Sequence, residues 1–347
     1  MAGPHARQRG LTLTELMVSV AISVALLVVL SNVYLGSRAA YRTNEALARV
    51  QESGRFALDL IARDLRSSGF AGCWSREPRI TVYANPRPAA LDSPVPLRGY
   101  ERAAGFTYPG GVERLAGDNH SDVVRVVAVD SAVGAYVDGE SDVAAATIAI
   151  RDNEAGFERD DMLVVSDCER AAVFTVTGLQ SRPIRLAHAV EKNGGIDTPT
   201  HRISPSFKAR DAAFVARLDT VTYFIGRPKG NRQAPPSLYR AGLEQTEKVV
   251  ENVEDVDFLF GLDGDGDGAV DRYLPADQVD ATQWGRVLSV RVSLLVASAE
   301  AVLHSAGQVV HLRDVDGDTV VDAQPAGGDR RLRQVFTTTV ALRNRLP

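Results

Sequence analysis

An uninterrupted apolar run near the N-terminus is the strongest pattern in the chain. No charged residue lies between Glu15 and Arg38. A helix over residues 16–35 would be about 30 Å long at 1.5 Å per residue, which matches the hydrocarbon thickness of a bilayer. The run therefore predicts a transmembrane helix over residues 16–35.

After this span, apolar residues recur with the spacing of a helix that has one buried face. The apolar positions lie three and four residues apart: Leu47, Val50, Gly54, Leu58, Ile61 and Leu65. The charged positions occupy the other faces: Arg49, Glu52, Arg55, Asp59, Arg63, Asp64 and Arg66. This pattern predicts an amphipathic continuation packed on a folded domain. We therefore expect one helix over residues 11–66.

The remainder of the chain favours short strands separated by Gly, Pro and Asp turns. The period of two is clearest over 287–296, where Leu288, Val290 and Val292 alternate with Ser289 and Arg291. Such alternation indicates a sheet with one buried face. The predicted strands are 121–129, 173–177, 219–225, 287–296 and 335–342. Without alternating helices they favour an antiparallel sheet, so the predicted fold class is α+β, with a long helix packed on antiparallel sheet.

A proline-rich and glycine-containing break at residues 227–237 separates two strand-rich parts. It is either a linker or a long hairpin loop. We place a boundary there, which gives a first β-rich part over 67–226 and a second over 227–347.

The charges that flank the apolar run predict its orientation. Arg7 and Arg9 precede the run, so residues 1–10 are expected in the cytoplasm and everything after Arg38 on the other side of the membrane. An exported domain can oxidise its cysteines. Cys73 and Cys168 are the only two in the chain, so either they form one disulfide or both are buried free thiols. A bridge would stabilise the fold by about 4–5 kcal/mol in the chain-entropy model.

Two aspartate-rich segments are candidates for calcium binding. The first has acids at loop positions 1, 3, 5 and 9, with Gly268 at position 6: Asp263, Asp265, Asp267 and Asp271. This spacing matches most of an EF-hand calcium loop, but Leu274 replaces the acid at position 12, so Asp277 or Asp280 would have to complete the shell. The second segment repeats the acidic spacing without the glycine: Asp314, Asp316, Asp318 and Asp322. The alternative for both is a hairpin tip that uses Asp and Gly as turn formers.

Composition excludes several other classes of function. The formal net charge of −5 gives no support to nucleic-acid binding. The six histidines form no close ligand pair, and no nucleophile motif is present. We therefore do not expect an enzyme.

The N-terminal segment, Gly10 followed by Leu11-Thr-Leu-Thr-Glu15, resembles the leader of the type IV pilin family. The resemblance implies that a prepilin peptidase cuts between Gly10 and Leu11, removing residues 1–10, and that the new amine of Leu11 is methylated. It also implies that Glu15, at mature position five, pairs with a terminal ammonium during assembly. Leu11 replaces the phenylalanine usual in the family.

Later segments resemble the PilW group of minor pilins, namely RFALDLIARDLRSSGFAGC, SDVV, GLDGDGDGAVDRY, VLSVRVSLLVAS and FTTTVALRNR. This implies a single-pass inner-membrane protein with a periplasmic domain that later enters the pilus. Its implied partners are the major pilin, other minor pilins, the assembly platform and a tip adhesin. The implied role is to prime filament assembly or to be incorporated into the filament.

Two other functions stay open. A type II secretion pseudopilin of the J type shares the leader and a segment comparable to VENVEDVDFLF. A membrane-anchored, calcium-dependent binding module that never polymerises is the third hypothesis, and it would not need Glu15.

Overall fold

The long N-terminal helix and the sheet-rich domain that it enters define the architecture. The structure is a computed structural model, and it describes residues 13–69, 79–85, 97–115, 121–167, 170–194, 203, 206–243, 245–304, 313–314, 319–320 and 329–342. Helix α1 runs over Leu13–Ser67, and a short helix α2 covers Val190–Asn193. The strands are β1 (Arg79–Val82), β2 (Leu97–Tyr100), β3 (Val112–Glu113), β4 (Val123–Tyr136), β5 (Thr147–Ala149), β6 (Met162–Ser166), β7 (Arg170–Thr175), β8 (Gly178–Ser181), β9 (Ile184–Ala187), β10 (Phe214–Pro228), β11 (Ser237–Ala241), β12 (Thr246–Glu251), β13 (Val253–Leu262), β14 (Arg272–Leu274), β15 (Val287–Ala301), β16 (Arg313–Asp314), β17 (Thr319–Val320) and β18 (Arg331–Ala341).

A nine-stranded sheet and a four-stranded sheet form most of the domain. The larger sheet has the order β1-β7-β6-β10-β11-β12, with β2, β3 and β4 paired alongside, and the smaller has the order β14-β13-β15-β18. Strand β10 organises the larger sheet, since β4 lies along one of its edges while β6 and β11 share the other. Every pairing in these two sheets is antiparallel except that of β1 with β7. The predicted α+β class is confirmed, and each predicted strand overlaps an observed one.

The break at residues 227–237 contains the hairpin loop between β10 and β11, which covers residues 229–236. Its ends are joined directly, because Gly226 pairs with Ser237 across the two strands. The predicted boundary at residue 227 therefore lies inside β10, within one sheet.

The second half of α1 supplies one side of the main hydrophobic core. Val50, Ala57, Ile61 and Leu65 are buried there, as the helical spacing requires. They lie against β15 and β18 of the four-stranded sheet. This layer of helix on sheet fixes the position of α1 relative to the domain.

The helix packs closely against β18 at Gly54. A Cβ atom at this position would overlap the ring of Phe336. Glycine costs up to about 1 kcal/mol relative to alanine inside a helix, so a packing reason is expected where it occurs. Here the missing side chain leaves room for the aromatic ring.

Strand β15 differs from the prediction of a single buried face. Ser289 and Ser293 are both buried, and so are the apolar residues that alternate with them, so both faces of β15 are covered over this stretch. Their hydroxyls are satisfied by Tyr273 and Thr337, each at 3.0 Å between oxygens. Burying a hydroxyl that has such a partner costs little free energy, so the alternating serines of β15 do not indicate a solvent-exposed face.

Asp64 corrects the predicted helix faces, since it is buried rather than exposed. Only 8% of the residue is accessible to solvent. Its Oδ2 accepts hydrogen bonds from the Tyr223 hydroxyl at 2.7 Å and from Arg240 Nε at 2.9 Å. Tyr223 and Arg240 are cross-strand neighbours on β10 and β11. The end of α1 is thereby bonded to the centre of the nine-stranded sheet.

The protonation of this cluster follows from its burial and its charges. Burial, together with the nearby charge of Asp64, raises the pKa of the Tyr223 hydroxyl, which stays protonated and donates. Burial alone would lower the pKa of Arg240, but the hydrogen bond and charge of Asp64 outweigh it and raise that pKa. Tyr223 and Arg240 therefore both stay protonated at neutral pH and act as donors to Asp64.

A second polar junction joins the two sheets at Asp122. This residue precedes β4, and its carboxyl oxygens accept the backbone N–H of Arg102 at 2.8 Å and of Phe258 at 3.0 Å. Its side chain also hydrogen-bonds that of Asp257 on β13. Burial, followed by the charges of Asp257 and Glu101, raises the pKa of Asp122 to about 9. Asp122 is therefore protonated at neutral pH and can donate to the carboxylate of Asp257.

We predict that Asp64→Ala lowers the free energy of unfolding by about 2–4 kcal/mol, because it leaves the buried Tyr223 hydroxyl without its acceptor and removes the shortest ion pair of the half-buried Arg240. The measurement is urea unfolding of the full chain in detergent micelles, followed by circular dichroism. Asp59→Ala, on the exposed face of the same helix, is the matched control and should change stability by less than about 0.5 kcal/mol. Equal effects of the two substitutions would contradict the burial of Asp64.

We also predict that the domain becomes less stable as pH rises from about 4 towards 9. The folded state keeps the Asp122 proton, whereas the unfolded chain releases it near the ordinary pKa of an aspartate. The stabilisation from this proton is therefore complete below the pKa of the unfolded chain and is lost as the pH rises towards the pKa of the folded state. The limiting slope for one proton is about 1.4 kcal/mol per pH unit. Asp122→Asn keeps a donor and an acceptor and should flatten this slope in urea unfolding at pH 5, 7 and 9. The exposed Asp138→Asn should leave it unchanged, and a slope insensitive to Asp122→Asn would refute the assignment.

Candidate functional site

The first half of α1 is an exposed apolar stem, defined here as residues 13–35. Its large apolar side chains, from Leu13 to Leu35, are all more than half exposed. By length and composition α1 could cross a membrane, and none of its most apolar stretch is buried inside the domain. The predicted span over residues 16–35 thus lies on a continuous helix that also enters the domain.

Two serines inside the stem have their hydroxyls satisfied by the helix itself. Ser19 Oγ donates to the carbonyl of Leu16 at 2.9 Å, and Ser23 Oγ donates to the carbonyl of Ser19 at 2.7 Å. A polar group that is bonded in this way needs no water in a hydrocarbon environment. The serines therefore do not interrupt the apolar surface of the stem.

Glu15 is the acidic residue in the first turn of α1. A carboxylate at this end of a helix is favoured by the helix dipole, whose positive end lies there. In a bundle of apolar helices the same carboxylate would be costly without a cationic partner. Gly10 and Leu11, the predicted cleavage and methylation positions, lie outside the described residues.

The predicted calcium loop brings three of its four aspartates together. Carboxylate oxygens of Asp263, Asp265 and Asp267 lie within 4.8 Å of one another. The loop connects β13 to β14, and Gly266 and Gly268 both have the positive φ angles that such a turn requires, +86° and +87°. The sequence pattern had singled out Gly268 alone.

Internal hydrogen bonds hold the loop in this shape. Asp263 is buried, and its two oxygens accept the N–H groups of Gly266 at 2.5 Å and of Gly268 at 3.0 Å. Asp271, the predicted fourth ligand, instead accepts the N–H of Gly264 at 2.6 Å and lies outside the three-carboxylate group. The arrangement offers oxygen ligands of the kind that calcium prefers, and each carboxylate oxygen keeps a further lone pair for a cation.

The second aspartate segment falls mostly outside the described residues. Asp314 lies in β16, which pairs with β17, whereas Asp316, Asp318 and Asp322 are not described. Cys73 and Cys168 are likewise outside the described residues. Their pairing stays a prediction.

Sequence reasoning missed the residues that attach α1 to the domain. Asp64 was assigned to a solvent face, and its partners Tyr223 and Arg240 lie 159 and 176 residues away in the chain. A carboxylate one residue before the buried Leu65 was the only local signal. Nothing in the spacing indicated a partner.

Comparison with known protein families returns two matches at different parts of the chain. Residues 5–31 match a family model described as the prokaryotic N-terminal methylation motif. Residues 222–344 match a family model described as type IV pilus-assembly protein W, PilW. No curated protein and no solved structure matches the chain. The first match contains residues 13–31 of the stem, including Glu15, and the second contains β11 to β18 with the aspartate loop.

Proposed function

Since the chain is a type IV pilin-like protein of the PilW type and a minor pilin of the type IV pilus, we propose that it primes filament assembly through its stem. The observation that carries this proposal is the exposed apolar stem on a helix whose other half is fixed to the domain. The role is structural rather than catalytic. Its proposed partners are the prepilin peptidase, the assembly platform and the stems of other pilins.

The stem needs two environments in succession. Burying one leucine-sized side chain is worth about 1.5–3 kcal/mol, so a helix that exposes apolar residues all round is stable only among lipid chains or other apolar helices. The bilayer provides the first environment, with the globular domain outside. A bundle of stems in the filament provides the second.

Glu15 is proposed to make that exchange specific. Cleavage between Gly10 and Leu11 would create an ammonium four residues before Glu15. A carboxylate and an ammonium that neutralise each other can enter an apolar bundle at a lower cost than either charge alone. Pairing between Glu15 and the ammonium of a neighbouring subunit would therefore fix the axial position of one stem relative to the other.

The attachment of α1 to the domain suits a load-bearing subunit. The helix is held by its core face, by the close approach of Gly54 to Phe336 and by the bonds of Asp64. Force on the stem is passed to two sheets at once, because Asp64 is bonded to the larger sheet while the core face lies on the smaller. A tip position beside an adhesin would use this arrangement.

We further propose that Asp263, Asp265 and Asp267 bind one calcium ion. Three convergent carboxylates on a loop already shaped by its own hydrogen bonds support this proposal. Backbone oxygens and water would complete the six to eight ligands of calcium. Such an ion would stiffen the β13–β14 connection next to the main core.

For assembly, we predict that Glu15→Ala lowers the amount of the protein in sheared pili at least about tenfold, since an ion pair worth 1.4 kcal/mol or more is lost. The protein should still insert in the membrane. Quantitative immunoblotting of sheared and membrane fractions checks this, with Glu158→Ala on the domain surface as the control. N-terminal sequencing of the pilus fraction should begin at Leu11. Wild-type incorporation of Glu15→Ala would contradict the proposal, while a wild-type protein absent from pili would favour a pseudopilin or an anchored module.

For calcium, we predict that the ion raises the unfolding temperature of the full chain relative to the same sample in chelator. The expected stabilisation is about 2.7 kcal/mol at a calcium concentration of a hundred times Kd. Asp265→Asn combined with Asp267→Asn should remove the difference. Asp271→Asn should retain it, because an amide oxygen can still accept the Gly264 N–H. No difference between calcium and chelator in the wild-type chain would refute the site, and loss of binding in Asp271→Asn would make Asp271 a ligand.

A further inference from the structure

Two arginines follow the stem directly, Arg38 and Arg42. Both are exposed, and among the residues that the structure describes neither guanidinium group has a hydrogen bond or ion pair. The next arginine along the helix, Arg49, is paired with Glu45 at 2.6 Å. The two cations nearest the stem therefore have donors available for a partner outside this chain.

Their height along α1 corresponds to the polar layer of a bilayer. Arg38 lies three residues beyond Leu35, or about 4.5 Å, and Arg42 lies seven residues beyond it, or about 10.5 Å. The headgroup layer on each side of the hydrocarbon is roughly 5–7 Å thick. Side chains on a helix tilt towards its N-terminus, which for this orientation is towards the membrane. Both guanidinium groups can therefore reach the headgroups.

Two tyrosines mark the same boundary. Tyr34 and Tyr41 are 65% and 70% exposed. They lie four residues before and three residues after Arg38, so the three side chains share one face of the helix. Tyrosine is enriched where a membrane meets water, because its ring is apolar and its hydroxyl is polar. The face that carries Arg38 thus has the composition of a membrane interface.

We propose that Arg38 and Arg42 bind the phosphate of an anionic phospholipid headgroup in the outer leaflet of the membrane that holds the stem. The planar guanidinium group offers paired N–H donors that match phosphate oxygens. One helical turn separates the two arginines, so both can approach the same headgroup. The site holds the subunit at a fixed depth until the stem leaves the bilayer.

Charge and position favour lipid over an acidic side chain as the occupant. Whenever the stem spans the membrane, phosphates surround Arg38 and Arg42 at their own height. Arg42 also lines a groove with Glu251 and Glu300 of its own chain, but it forms no ion pair with either of them. The nearest acid on α1, Glu45, is already paired with Arg49. The inference depends on the membrane position of the stem and not on assembly into a pilus.

The test uses the full chain in a zwitterionic detergent, titrated with phosphatidylglycerol while native mass spectrometry counts the lipid bound. Arg38→Gln/Arg42→Gln should weaken the apparent binding about tenfold to thirtyfold, at roughly one arginine's electrostatic contribution each. Arg55→Gln/Arg159→Gln removes the same charge at exposed positions far from the stem and should bind as the wild type does. Glutamine is a good helix former, and circular dichroism should show unchanged helicity.

Further arms separate the sources of binding. Diacylglycerol, which lacks the phosphate, should bind the wild-type chain no better than the doubly substituted one. An equal concentration of inorganic phosphate should not displace the lipid. The proposal is overturned by equal retention of phosphatidylglycerol in all three chains, by equal binding of diacylglycerol, or by displacement with free phosphate. It is also overturned if Arg38→Gln/Arg42→Gln keeps lipid but no longer co-purifies with other pilins, which would identify a protein partner. None of these outcomes bears on the Glu15 experiment.

Discussion

No described part of the domain covers the apolar surface of the stem, so this surface has to be buried against lipid or against other helices. Most other features of the molecule follow from that constraint. The same helix that is buried on one face between Val50 and Leu65 is exposed on every face between Leu13 and Leu35. Because α1 is continuous over 55 residues, the membrane or filament that holds the stem also holds the domain in place. A single element thus joins a hydrocarbon-compatible surface to a folded unit, and the junction between them has to withstand any force applied at either end.

The junction between the stem and the domain combines one apolar layer with one group of polar contacts. The apolar layer lies on β15 and β18, within the segment that matches PilW, and Gly54 lets the helix approach Phe336 there. The polar contacts consist of the hydrogen bonds from Tyr223 on β10 and Arg240 on β11 to Asp64. Both residues belong to the larger sheet and lie near the start of the segment that matches PilW. Much of the described chain between β1 and the start of β10 has a separate core around Phe157, Phe174 and Leu186. Leu97, Val124 and Val126 from that part lie in the main core with α1, so the helix is attached mainly to the PilW-like part and also to β2 and β4.

Local pattern was sufficient wherever neighbours in sequence determine the structure. The apolar run, the spacing of Val50 and Ile61 and the alternation in β15 all predicted real elements, because each reflects a period of the backbone itself. The misassigned Asp64 and the unnoticed Asp122 share a different property, since their partners are reached only through tertiary contacts. The aspartate loop lies between these cases. Its turn was readable from Asp and Gly, but the choice of Asp271 as a backbone acceptor depends on where β14 returns to β13.

The charges at the two ends of the stem bear on how such a helix can leave a bilayer. Glu15 lies at one end of the stem, and Arg38 and Arg42 lie just beyond the opposite end. A charge that simply lost its solvent would cost several kcal/mol, so withdrawal is feasible only if each group exchanges one partner for another. An acid can pair with an ammonium on a neighbouring stem. An arginine can exchange a lipid phosphate for water or an acidic side chain as the helix moves out of the bilayer. Both ends of the stem must therefore exchange partners during the same movement.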